Sequence, residues 1–204
     1  MEYLWATILF AISSSVTPGP NNIMVMTSGL NFGVKKSLPL LTGICVGFTV
    51  MLLLVGLGFG QLFDLFPMLH LPIKCIGTAY LLYLAWLIAR SSDAIQTAAQ
   101  TQPFGFMKGA LFQWVNAKAW VVATGAIAAF TTVGANFVTQ NLTIAATFFV
   151  VSFPCVGVWL MFGSLLKKWL QSPKQRQWFN WVMATLLVVS VIPVVREIVY
   201  QLNV

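Results

Sequence analysis

Two prolines around a glycine, in Thr17-Pro18-Gly19-Pro20-Asn21-Asn22, cut an apolar run over residues 3–30 that is otherwise long enough to cross a bilayer. Proline inside a helix removes an N–H donor, and its ring clashes with the carbonyl one turn back, at about 3 kcal/mol. In hydrocarbon the freed backbone groups cost more still, so such a break is tolerated only where protein buries it or a watery cavity meets it. Discontinuous helices of this kind build the midplane sites of many transporters. A kink used only for packing is the plainer reading. Thr17, Asn21 and Asn22 add hydrogen-bonding groups, which makes a polar site the stronger expectation.

The rest of the chain decides the solvent. Of its 204 residues, 59% are hydrophobic and 7% charged, with a mean hydropathy of +0.87, which is more apolar surface than one soluble core can hide. Six segments have about the length and character of a span: 3–30, 38–63, 72–89, 104–131, 142–166 and 178–199. The expectation is an all-α polytopic membrane protein with a single transmembrane domain over 1–204. The polar linker 91–103 separates three spans in 1–90 from three in 104–204. Because three is odd, like halves would enter the bilayer from opposite sides, as two inverted three-helix repeats. Glu2 stands where a signal peptide carries basic residues, and no small-residue cleavage site follows, so the first segment reads as a span.

Charge gives an orientation. Lys35, Lys36, Arg90, Lys108, Lys167, Lys168, Lys174 and Arg176 fall on one side of the six-span scheme, and Lys74 and Arg196 on the other. The positive-inside rule then puts the connections after spans 1, 3 and 5 in the cytoplasm and both termini outside. The net charge of +7 serves that orientation and implies no nucleic-acid partner. Lys167-Lys168-Trp169, with Trp178 and Trp181 beyond, reads as an interfacial girdle.

Several chemistries are excluded. Cys45, Cys75 and Cys155 are isolated, without the spacing of a metal or redox centre, and read as small core hydrophobes. His70 is the single histidine and falls in an outer connection; no Gly-x-Ser-x-Gly or ATP-binding Gly-x-x-x-x-Gly-Lys-Ser/Thr stretch occurs. Neither an enzyme, a cofactor nor a metal is expected. Gly43-x-x-x-Gly47 and Gly56-x-x-x-Gly60 have the small-residue spacing of close helix packing.

The fourth segment carries Gln113, Asn116 and Lys118. An ammonium deep in a membrane helix is costly and by default marks a functional site or an internal pair. Counting about 1.5 Å per residue puts Thr17 roughly 9 Å, and Asn116 and Lys118 roughly 12 and 15 Å, from the inner edge of the hydrocarbon core. The features of the two halves share a depth. Lys118 either attracts a substrate anion, or snorkels or pairs with carbonyls freed at the first break.

These residues resemble a family. Thr17 to Asn22, Gly29-x-x-x-Gly33 followed by Lys35-Lys36-Ser37, the stretch Gly77 to Trp86, and Asn116-x-Lys118 look like those of the LysE/RhtB-type amino-acid exporters. The resemblance covers nearly the whole chain and implies a six-helix inner-membrane exporter of amino acids or their relatives, driven by the proton gradient. Ala117 stands where most members carry proline, so no proline kink is expected in span 4. Within the family this combination is similar to the branch that exports cysteine and O-acetylserine. The resemblance also implies a distant kinship with thiol electron carriers. Spans 1 and 4 hold no cysteine, which disfavours a membrane thiol oxidoreductase; a non-transporting scaffold is the other alternative.

A zwitterion needs an anion site and a cation site close together. The expected substrate site is Thr17, Pro18, Gly19, Pro20, Asn21, Asn22, Gln113, Asn116 and Lys118. The N–H groups of the half-helix starting near Pro18, with Lys118, would take a carboxylate, and the carbonyls at residues 13–16 an ammonium. Asn21, Asn22, Gln113 and Asn116 would read the polar side chain. Glu2, Asp64, Asp93 and Glu197 all read as terminal or loop residues, so no carboxylate stands out as a proton carrier.

Overall fold

The computed structural model describes residues 2–59, 70–90, 102–131, 137–170 and 172–202, which are helical apart from short connections. In chain order the helices are α1 (Glu2–Val16), α2 (Pro20–Phe32), α3 (Val34–Leu54), α4 (His70–Arg90), α5 (Phe106–Phe112), α6 (Ala117–Phe130), α7 (Phe137–Trp169) and α8 (Pro173–Leu202). The all-α expectation holds for these residues, with no strand among them. Val34–Gly58, Phe137–Trp169 and Pro173–Tyr200 are long and apolar enough to cross a membrane; Leu4–Val16, Cys75–Arg90 and Ala117–Phe130 are shorter apolar helices. Asp64 and the linker from 91 to 101, with Asp93, lie outside the described residues. His70, expected in a connection, is the first residue of α4.

Both broken helices have local causes. After α1, Gly19 is fully extended (φ −178°, ψ 179°) and Pro20 opens α2 at its first position, where a missing N–H costs nothing. The unbroken span expected over 104–131 is corrected. Past α5 the chain tightens into a 3₁₀ turn over Gln113–Val115, Asn116 is extended (φ −88°, ψ 104°), and α6 restarts at Ala117. No proline is needed, because the Asn116 side-chain oxygen accepts the Lys118 N–H at 3.2 Å, and an asparagine N-cap starts a helix by itself.

Helix α2 is the axle of the fold. Pro20 and every residue from 22 to 31 are buried. It packs along α7, where a Cβ on Gly29 would sit 2.5 Å from the Leu160 carbonyl oxygen and one on Gly163 would collide with the Met26 carbonyl. Helix α3 lies between α5 and α7. Gly43 and Gly47 face the backbone of Phe106 and Ala110, and Gly109 returns the contact, 2.6 Å from the Leu40 oxygen by the same measure. The first small-residue pair therefore packs helices as expected. Of the second pair, Gly60 lies outside the described residues, and Gly56 faces the Asn141 side chain of α7; Gly58, at φ 99°, is bent into the wide π-type turn Val55–Phe59 that ends α3. Helix α4 runs along α8.

Polarity runs inside out. Asn22, Ser37, Gln113, Asn116, Asn141 and Asn180 are buried, while Trp5 (64% exposed), Val121 (70%), Val150 (69%), Tyr200 (72%) and Trp169 (81%) stand on the surface. Hydrocarbon is the solvent in which such a surface costs nothing. At the α7–α8 corner, Ser172 and Gln175 form a reciprocal capping box, with bonds of 3.1 and 3.2 Å. Arg176 Nε closes on the Leu170 carbonyl at 2.8 Å, beside Lys167 and Lys168 in the last turn of α7.

Candidate functional site

The two breaks meet. Asn21 Nδ2 donates to Gln113 Oε1 at 2.9 Å, and Gln113 Nε2 donates back to Asn21 Oδ1 at 3.1 Å and to the Gly109 carbonyl at 2.9 Å. Lys118 Nζ donates to the Thr17 carbonyl at 2.7 Å. The lysine stem lies on Gly19, where a Cβ would stand 3.0 Å from Lys118 Cδ. The common depth inferred from residue counting thus corresponds to direct contact.

Three of the four carbonyls expected to face an ammonium, those of Ser13, Ser15 and Val16, already accept hydrogen bonds from the protein. Asn22 Nδ2 donates to the carbonyls of Ser15 and Thr17, both at 2.9 Å, and Trp159 Nε1 to that of Val16 at 3.1 Å. Ser13 O accepts the Thr17 N–H at 3.1 Å and also the Thr17 hydroxyl. Freed carbonyls away from water demand donors, and these side chains supply them. The second break uses the same device, with Trp120 Nε1 on the Trp114 carbonyl at 2.8 Å. Sequence reasoning missed both tryptophans, since an indole on an apolar helix reads as a lipid contact.

The amino ends of the restarted helices differ. At α6, Asn116 caps the Lys118 N–H with its side chain and those of Ala119 and Trp120 with its carbonyl, at 2.9 and 3.3 Å. At α2 the cap residue is Gly19, which has no side chain to offer, and the first intrahelical bond is Ile23 N–H to Gly19 O at 3.0 Å. The N–H groups of Asn21 and Asn22 precede that bond, so they have no acceptor within the helix.

A cavity of about 50 Å³ opens beside this end. Its polar lining is Ser14, Ser15, Asn21, Asn22, Asn116, Lys118 and Ser152, with Gly19. The rest is apolar: Ile44, Cys45, Phe48, Ala119, Val122, Phe148 and Val156. None of the lining residues is acidic. Of the nine expected site residues, Gly19, Asn21, Asn22, Asn116 and Lys118 line it. Thr17 and Pro18 are exposed beside it, and Pro20 and Gln113 are buried behind it, the latter with its amide already bonded. Cys45, read from sequence as core, is both buried and part of the wall. Ser14, Ser15 and Ser152 carried no sequence signal beyond being hydroxyls on apolar helices.

Residues 12–196 match the LysE type translocator family. Among curated proteins, the chain is 30% identical over 197 residues to a cysteine/O-acetylserine efflux protein of Klebsiella pneumoniae, covering 94% of this chain and 96% of the relative. Proteins of the same description from Salmonella typhimurium and Escherichia coli O1:K1 are each 34% identical over 122 residues, 59% of this chain and 62% of theirs. No solved structure matches.

Proposed function

The chain belongs to the LysE type translocator family, and from that premise we propose that it exports a small neutral amino acid of the cysteine or O-acetylserine kind from a bacterial cytoplasm. The observation that carries this reading is the open amino end of α2, with Lys118 Nζ beside it and no acidic group in the cavity wall. Helix N–H groups and an ammonium attract a carboxylate. A second positive charge on the substrate, as in lysine, finds no counter-ion among the lining residues. The apolar wall from Ile44 to Phe48 and Phe148 suits a short side chain, and Asn22, Asn116 and Ser152 offer hydrogen bonds to a thiol or ester.

The substrate site in this reading comprises Gly19, Asn21, Asn22, Asn116 and Lys118 as lining residues, positioned by Thr17, Pro18, Pro20 and Gln113. The architecture is six spans in two inverted repeats, each opening on a broken helix: α1–α2 and then α3 and α4, against α5–α6 and then α7 and α8. In this reading both termini lie on the periplasmic side of the inner membrane, which the distribution of basic residues supports. The driving force in this reading is the proton gradient, which the resemblance to the LysE/RhtB-type exporters implies.

Uptake into inside-out vesicles tests this. Labelled L-cysteine and O-acetyl-L-serine are expected to accumulate when a proton gradient is imposed, and L-lysine is not. Accumulation of lysine alone, or uptake indifferent to collapse of the gradient, sinks the substrate or the coupling part respectively.

A further inference from the structure

A second and larger cavity, of about 340 Å³, lies between α2, α4 and the start of α5. On α2 it is lined by Met24, Thr27, Ser28 and Asn31, one to three turns beyond the central cavity's Asn21 and Asn22. Tyr83 and Ile88 of α4 face them, and Phe104 and Lys108 close the end. In the orientation proposed above, this end faces the cytoplasm. The same buried helix therefore borders both cavities in succession.

Two polar groups here lack an assignment. Threonines elsewhere in these helices, such as Thr49, Thr124, Thr143, Thr147 and Thr185, return their hydroxyl hydrogen to the carbonyl four residues back, at 2.8 to 2.9 Å. Thr27 does not: it is 4% exposed, and its hydroxyl has no partner. A buried hydroxyl is normally satisfied, so one left over beside a cavity points to an occupant. Lys108, exposed, holds its ammonium 5.0 Å from the Phe104 ring centroid and faces the cavity without an ion pair among the described residues.

We propose that this cavity is a second solute site, which holds an amino-acid zwitterion before it passes along α2 to the central cavity. Lys108 takes the carboxylate, the Tyr83 ring flanks the ammonium, and Thr27 supplies the hydrogen bond at the inner end. The volume is within the range of small-molecule sites. The proposal rests on the export reading for its ligand class and direction.

Thiol labelling separates the two ideas. A Thr27→Cys variant is made in a background with Cys45, Cys75 and Cys155 replaced and is labelled in inside-out vesicles with a small methanethiosulfonate. Millimolar O-acetyl-L-serine is expected to slow labelling at least threefold, acetate and L-lysine to do so less, and Lys108→Gln to remove the protection. Uptake of labelled O-acetyl-L-serine is measured in parallel inside-out vesicles that hold the unsubstituted protein. Uptake without protection overturns the second site and leaves the export reading standing; protection without uptake supports the site and sinks that reading. Protection that survives Lys108→Gln overturns the assignment of the carboxylate.

Discussion

The side-chain amides of Asn21 and Gln113 bond to each other in both directions, at 2.9 and 3.1 Å, across 92 residues of sequence. Each satisfies the other at the point where the two helix breaks cross. Gln113→Leu removes three bonds and leaves the Asn21 amide without its partner, at about 1–3 kcal/mol. The Asn21→Leu, Gln113→Leu double variant is expected to lose less than the sum of the singles. Melting temperatures of the three purified variants check this; simple additivity removes the pair from the account.

Lys118 has two duties, one on the Thr17 carbonyl and one toward the cavity. Lys118→Met keeps much of the stem's packing and removes the charge, so substrate affinity is expected to fall by about 1.5–3 kcal/mol, roughly ten- to a hundredfold. Arginine restores part of it, because a planar fork does not replace a point ammonium. Affinity and melting temperature are read on the same preparation. Intact affinity in a variant that melts lower assigns Lys118 to the backbone alone.

Ala117 is the first residue of α6, behind an asparagine cap whose ψ of 104° already suits a residue before proline. Ala117→Pro is therefore expected to be neutral or to stabilise by up to about 1 kcal/mol, with uptake retained. Loss of folding would mean that the Ala117 N–H has a partner. Asn116→Ala, which strips the cap, is expected to cost about 0.5–2 kcal/mol in the same melting assay.

The α3–α5 crossing admits no side chain at Gly47, where a Cβ would stand 2.5 Å from Ala110 Cα. Gly47→Val is expected to abolish the folded protein in detergent. Gly125 and Gly157 have nothing within 4 Å of the same position. Alanine at either is expected to be tolerated or to stabilise by about 0.5–1 kcal/mol. Monodispersity by size exclusion distinguishes the two classes.

The first break was legible because proline leaves a chemical mark in the sequence. The second was not, since Asn116 and a 3₁₀ turn break the helix with residues that are common inside helices. Counting rise per residue placed Thr17 near Asn116 and Lys118 in depth, but depth carries no azimuth, so the bond between Asn21 and Gln113 was invisible. Likewise, among the carbonyls expected to face an ammonium, those of Ser15 and Val16 accept bonds from Asn22 and Trp159. Choosing among donors that all reach one acceptor is settled only by tertiary packing.

The lysine stem resting on Gly19 ties positions 99 residues apart into one heritable unit. A Cβ at 19 asks the flexible stem at 118 to give by a few tenths of an ångström, and a shorter residue at 118 removes that demand. Alanine at 19 is then a permissive partner of a smaller residue at 118 and a burden beside lysine. Drift in the first half of the gene is answerable to the second.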